Sequence, residues 1–308
     1  MIPRLSSQAH QAGAACPQIS SFPWYERIRT AFLIEPGGED RTPHETFDND
    51  VNSRGKRDRV RVLHNFDRAA SIYDSTRSLP DSVMNAVVDA ISAELRGSRL
   101  VLDAGVGTGR FAGPLRNRGL AVVGLDVSRA MLSEARRKSA ADLVRGELLT
   151  MPFVNGAFDS CLMIHVLHLV ESPTRLLSEI GRVCKSKVLS LAESSDYVSV
   201  RENYIRLLTQ AGYSWGDLSE QKLTTIVAPT LLKEVISYPV VRKADDDIEY
   251  FRNRMSAVTW DVPAEVHERI IRELSSSLGG RVFSFRTTVR LAKWSAVQLR
   301  DADLGSAR

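Results

Sequence analysis

The chain has 308 residues, a formal net charge of +4 and 43% hydrophobic residues, which suits one or two globular domains with a full core. No apolar run approaches the roughly 20 residues of a membrane span, and Met1–Cys16 holds no sustained apolar stretch, so neither a span nor a secretory signal is expected. The three cysteines (Cys16, Cys161, Cys184) form no CxxC pair, which points to a reducing, cytoplasmic setting and away from a structural metal site.

Residues 1–57 read as a variable, partly disordered extension, with Phe22–Leu33 as its one apolar part. A basic stretch follows from Arg54 to Arg68; it reads as a solvated linker before it reads as a nucleic-acid patch, because no aromatic residue interleaves before Phe66. From Pro80 the pattern sharpens. Val83, Val87, Ile91 and Leu95 recur every four residues and predict a helix ending at Gly97.

Leu100–Leu102 predicts a buried strand that runs into a glycine turn, and Arg110–Arg118 a helix stopped by Gly119. Ala121–Leu125 predicts the second strand, and Ser128 caps a helix through Lys138. Asp142–Arg145 and Phe158–Val166 predict strands, Thr174–Val183 a helix, and Lys187–Leu191 a fifth strand. Such alternation means a mostly parallel sheet with helices on both faces, an α/β class of Rossmann-like type spanning residues 58–195.

After Glu193 the alternation breaks. Helices are expected at Val198–Ala211, Asp245–Met255 and Pro263–Ser277, with strands at Lys233–Val241 and Arg281–Lys293. Residues 196–280 thus read as a helical cap with one edge strand, 281–295 as the last core strand closing an antiparallel edge hairpin, and 296–308 as a loose tail.

The chemistry concentrates at Val101–Gly109 (VLDAGVGTG). Gly105, Gly107 and Gly109 follow a strand end, where open parallel sheets bind ligands and where glycine lets the backbone come close to one. Asp103 can meet an ammonium group. Asp126 ends the next strand, and a carboxylate there can accept hydrogen bonds from both hydroxyls of a ribose. Together these residues suggest a nucleoside-type ligand.

On these residues the chain resembles the class I S-adenosylmethionine-dependent methyltransferases, in particular the small-molecule group related to quinone-biosynthesis methyltransferases. VLDAGVGTG matches that family's acidic-x-Gly-x-Gly-x-Gly motif, and GLDVSRAML (Gly124–Leu132) the stretch with the ribose acid. GELLTMPFVNGAFD (Gly146–Asp159) matches a segment that usually reads Gly-Asp-x-x-x-Leu-Pro-Phe-x-x-x-x-Phe-Asp, and FDRAASIYDSTRSLP (Phe66–Pro80) the group's upstream segment.

The resemblance implies that Met131 packs on adenine, that Glu147 faces its amino group beside the Leu148 backbone, and that Tyr73 closes over the cofactor. Glu147 stands where Asp is usual. Cys184-Lys-Ser-Lys187 replaces the family's frequent Lys-Pro-Gly-Gly, and Leu169 a frequent second histidine.

The implied function is methyl transfer from S-adenosylmethionine to a small-molecule, apolar or lipid-like acceptor, leaving S-adenosylhomocysteine. If the acceptor needs a base, His165 at the end of the fourth strand is the first candidate, ahead of His168 and Glu193. Tyr213, Trp215, Tyr250 and Trp260 of the cap are candidates for lining the acceptor site. RNA or protein methylation and a non-catalytic binding module stay open as alternatives. The chain has no Pro-Pro for base-amine methylation. Its G-x-G-x-G spacing and lack of a Tyr-x-x-x-Lys pair argue against a nicotinamide-dependent oxidoreductase. Neither the oligomeric state nor the acceptor atom can be read from the residues.

Overall fold

The computed structural model describes residues 66–302 and 304, except 78, 214, 216 and 217. The extension 1–57, the apolar Phe22–Leu33 segment, Cys16, most of the basic stretch and the last four residues lie outside the described residues.

Among the described residues a 3-10 turn at Phe66–Arg68 comes first, followed by the short α1 (Tyr73–Thr76) and the longer α2 (Asp81–Glu94). The alternating part then runs β1 (Val101–Ala104), α3 (Ala112–Arg116), β2 (Val122–Asp126), α4 (Arg129–Arg137), β3 (Asp142–Arg145), β4 (Phe158–Leu162), α5 (Pro173–Val183) and β5 (Cys184–Ser195). It continues with α6 (Val200–Gln210), α7 (Glu220–Ile226), β6 (Leu231–Lys243), α8 (Ala244–Arg252), α9 (Ala264–Leu278), β7 (Val282–Ser295) and α10 (Ala296–Arg300).

One seven-stranded sheet has the order β3-β2-β1-β4-β5-β7-β6. The first five strands pair in parallel, whereas β7 runs antiparallel to both β5 and β6. The expected Rossmann-like sheet and its antiparallel edge hairpin are both present.

The central strands carry apolar residues on both faces because successive residues face different cores. Val101, Val122, Leu162 and Leu189 point to the side covered by α2, α3 and α4, while Leu102, Val123, Cys161 and Val188 point to the side covered by α5 and α10. Val83, Val87 and Ile91 of α2 are the buried stripe that the four-residue repeat anticipated. A third apolar cluster joins α6, α8 and α9, so the cap has a core of its own.

Four expectations need correction. β4 stops at Leu162 rather than Val166, because its partner β1 turns away at Gly105; Met163, Ile164 and Val166 stay buried, and the segment runs as loop. The helix expected over Arg110–Arg118 is only α3. The tail is not loose from Ala296: α10 packs Ala296 and Leu299 into the core beside α5, and Gly181 of α5 lies so close that a Cβ would meet Arg300 Cβ at 2.4 Å. Helix α7 had no counterpart in the sequence reading.

Candidate functional site

Strand order reverses at β1, with β2 on one side and β4 on the other, so a crevice opens beyond their carboxyl ends. The glycine turn lies there. Gly105 has φ +80, and a Cβ on it would stand 2.3 Å from Val166 Cγ1. Glycine therefore lets the turn close against the loop after β4. Gly107 has φ +53, and a Cβ there would meet nothing within 4 Å. It faces open space. A Cβ on Gly109 would instead strike Ala140, so this glycine serves packing.

Two carboxylates flank the turn. Asp126 Oδ2 accepts from Gly107 N at 2.8 Å and Oδ1 from Ser128 N at 2.9 Å. Burial raises the Asp126 pKa, and these backbone hydrogen bonds oppose the rise. Asp103 on β1 is only 4% exposed, and its carboxylate has no hydrogen-bond partner among the described residues. Burial, reinforced by the Asp126 charge, pushes its pKa up to about 7. A buried carboxylate without a donor is costly unless a ligand supplies one, and an ammonium beside Asp103 would do so.

The segment after β3 joins them. Gly146 N donates to Asp126 O at 3.1 Å, and Leu148 Cδ1 lies 3.8 Å from where a Gly105 Cβ would sit. Leu148 therefore meets the turn, while the neighbouring Glu147 is exposed. Met131 is buried in the first turn of α4, its N–H donating to the Ser128 cap at 3.1 Å.

Tyr73 opens α1, half-buried, with the Arg77 guanidinium 5.6 Å from its ring centroid. Two acids the sequence reading passed over pin this upstream segment. Asp74 accepts from Thr108 Oγ1 at 2.6 Å and pairs with Lys138, which also donates to Thr108 O. Asp67 accepts from Ser128 Oγ at 2.6 Å and Ala130 N at 3.1 Å; these bonds hold its carboxyl below the usual range. The spacing of the two acids gave no signal, because their partners are 34 and 61 residues away.

His165 lies beyond the end of β4 with φ +58, an uncommon conformation for a non-glycine residue. Its Nε2 is 3.5 Å from Glu193 Oε1 on β5, and about a third of each side chain remains open. Burial pulls the His165 pKa down, but the Glu193 hydrogen bond and charge outweigh it and the net shift is upward. Burial pushes Glu193 up, and His165, Arg110 and Arg77 together bring it below its ordinary value. The fold thus sets His165, rather than His168, against Glu193.

The loop is held by a residue that sequence reasoning missed. Glu220 of α7 is 4% exposed, and its Oε1 accepts from Val166 N at 2.7 Å and Leu167 N at 3.1 Å. The cap aromatics largely pack. Tyr213, Trp215 and Tyr250 lie against the cap core, and Trp260 meets Phe66 edge-on at 5.1 Å while its indole N–H donates to Arg254 O.

Parts of the chain are similar to known proteins. Residues 102–190 match a family model described as a methyltransferase domain. The biotin biosynthesis bifunctional protein BioHC of Cellvibrio japonicus is 36% identical over 130 residues, 42% of this chain and 26% of that protein. The demethylmenaquinone methyltransferase of Renibacterium salmoninarum is 36% identical over 126 residues, 39% of this chain and 52% of that one. The chain therefore spans between a quarter and a half of the length of these curated relatives. The YcgJ protein of Bacillus subtilis aligns over 70% of this chain and 98% of its own, with 17% identity and a TM-score of 0.46. The glycine turn, Asp103, Asp126 and the strands β2, β3 and β4 lie inside the span that resembles this methyltransferase domain.

Proposed function

We propose that the chain is an S-adenosylmethionine-dependent methyltransferase acting on a small-molecule acceptor in the cytoplasm. The observation that carries this reading is the pair Asp103 and Asp126 beside the glycine turn: a buried carboxylate lacking a donor, and a second that accepts from the N–H of Gly107, which faces open space. One cation with two hydroxyls fits that set. The two relatives above are named for biotin biosynthesis and for demethylmenaquinone methylation, which supports a small-molecule acceptor. Buried free thiols at Cys161 and Cys184 support a reducing compartment, and no helix among the described residues is long and apolar enough to cross a membrane.

In this reading Asp103 faces the ammonium group, Asp126 accepts from the ribose hydroxyls, Met131 and Leu148 flank the adenine, Glu147 lies beside its amino group, and Tyr73 covers it. Gly105, Gly107 and Gly109 shape the turn that receives the cofactor. Bound S-adenosylmethionine supplies a methyl group on a sulfonium, open to in-line displacement. The protein's task is alignment and exclusion of water, since charge disperses as the methyl moves. His165 takes the proton of an acceptor hydroxyl or carbon acid, and Glu193 stabilises the imidazolium that results.

Calorimetric titration with S-adenosylmethionine and, separately, NADH tests the cofactor: binding of the first alone is expected. Asp126→Ala should weaken that binding by at least ~2 kcal/mol, through loss of charged hydrogen bonds and of the bond that orders Gly107. No binding of S-adenosylmethionine would end this reading. Labelled cofactor incubated with fractionated cell extract identifies the acceptor class, with label expected in small molecules rather than RNA or protein.

A further inference from the structure

The segment Phe66–Thr76 is strapped to both the glycine turn and the start of α4, and its place is set from outside. Its helix α1 is a single turn with no buried residue and no side-chain cap, too short to stand alone. Asp67 accepts from Ser128 Oγ and Ala130 N at the start of α4, and the Ser128 N–H donates to Asp126 Oδ1. Asp74 accepts from Thr108 Oγ1 in the glycine turn and pairs with Lys138. Tyr73 lies between these two pins in the chain.

Both pins reach the core. A third contact reaches the cap, and it is made by rings. Phe66 meets Tyr73 edge-on at 6.5 Å between centroids and Trp260 edge-on at 5.1 Å, both favourable aromatic geometries. Trp260 is the fixed end of this chain of rings. Its indole N–H donates to Arg254 O at 2.7 Å, and the Arg254 guanidinium donates to Thr259 O and, at 2.9 Å, to Val262 O. Phe66, Tyr73 and Trp260 are all half-buried, and none belongs to the three apolar cores. Rings that meet off every core add little to the folding of either part. They fix where one part sits against the other.

Resting on the methyltransferase reading, in which Tyr73 covers the bound methyl donor, we propose that Phe66 and Trp260 are positioning residues. Trp260 holds Phe66, Phe66 holds Tyr73, and the cap thereby sets how long the donor stays in the crevice. Release of the donor swings the strap outward, and that motion parts the Phe66–Trp260 pair. The pair and its buried ring area set the expected effect on release at about tenfold.

The test loads the full chain with labelled S-adenosylmethionine and chases it with excess unlabelled S-adenosylhomocysteine. Trp260→Leu and Phe66→Leu should each speed release about tenfold, and the double variant no more than Phe66→Leu alone, because both break one contact. Trp260→Phe keeps a ring and should stay within about threefold of the parent. Arg269→Gln, exposed on α9, changes nothing. Amide exchange of the unloaded protein gives a second readout. In Phe66→Leu it should rise at Thr76, whose N–H donates to Ile72 O at 3.1 Å, and stay unchanged in β1.

Release at the parent rate in both leucine variants, from a parent that binds the donor, overturns the proposal and leaves the methyltransferase reading in place. Equal acceleration by Trp260→Phe and Trp260→Leu overturns it too, since the ring then plays no part. Exchange that rises in β1 along with Thr76 marks general loosening and has the same consequence. A parent that takes up neither S-adenosylmethionine nor S-adenosylhomocysteine refutes the methyltransferase reading and the positioning role with it.

Discussion

Replacing Glu220 by alanine tests how α7 holds the loop that carries His165. The Glu220 carboxylate is almost fully buried and caps two backbone N–H groups, Val166 at 2.7 Å and Leu167 at 3.1 Å, in the loop that carries His165. Each amide left without an acceptor costs about 1–3 kcal/mol, and water reaching the crevice recovers part of it, so Glu220→Ala should lose about 2–4 kcal/mol. For a folded unit of this size that lowers Tm by roughly 5–15 °C. Glu220→Gln keeps one acceptor oxygen without its charge and should lose only about 1–2 kcal/mol. Calorimetric melting gives both numbers, and S-adenosylmethionine titration of the same samples should show cofactor affinity almost unchanged. Turnover should fall because the His165–Glu193 alignment loosens. If Glu220→Ala melts within 1 °C of the parent, α7 does not hold the loop and the reasoning fails.

Gly105→Ala and Gly107→Ala should behave oppositely. The first forces a Cβ to 2.3 Å from Val166 and should cost several kcal/mol of stability, whereas the second meets open space, costs about 1 kcal/mol through its positive φ, and should still abolish most cofactor binding. Equal melting losses in the two variants would contradict this. Asp103 makes stability fall as pH rises. Its folded pKa of about 7 lies above the unfolded value near 3.9, so stability is greatest below pH 4 on this account and is lost by up to about 4 kcal/mol on approaching pH 7. Asp103→Asn should flatten that slope in urea titrations across this window; an unchanged slope refutes it. An ammonium ligand should also expel the Asp103 proton, so binding enthalpy at pH 6.5 should vary with the buffer's ionisation heat. Glu193→Gln removes the group that raises the His165 pKa, and the acid limb of the turnover profile should move to lower pH because the base must be neutral. A limb that stays in place would remove His165 from the base role.

The parts legible in the sequence are those with short-range physical signatures. β1 and its glycine turn were readable because a strand buried on both faces is largely apolar and then breaks at residues that alone tolerate the backbone. Asp126 was readable because it ends the next strand. The apolar run Phe158–Val166 misled, since burial fixes polarity and not backbone form, and only the loss of the β1 partner ends the strand. Glu220 was illegible: it lies 54 residues from the amide it caps, in a helix of seven residues.

The β6–β7 hairpin has a further consequence. Its strands stay paired out to Lys243 and Val282, and Ala244 N donates to Arg281 O just beyond, so both ends of the α8–α9 insert leave the sheet side by side. An insert rooted this way can be lengthened, shortened or exchanged without disturbing the order of the strands beneath it. The matched surfaces it must respect include α6, whose Val200, Tyr204, Leu207 and Leu208 complete its core, and Phe66, which meets Trp260. Under the proposed function, acceptor preference would therefore diverge by replacing one peripheral block and the facing side of one helix, while the parallel half with the glycine turn stays as it is.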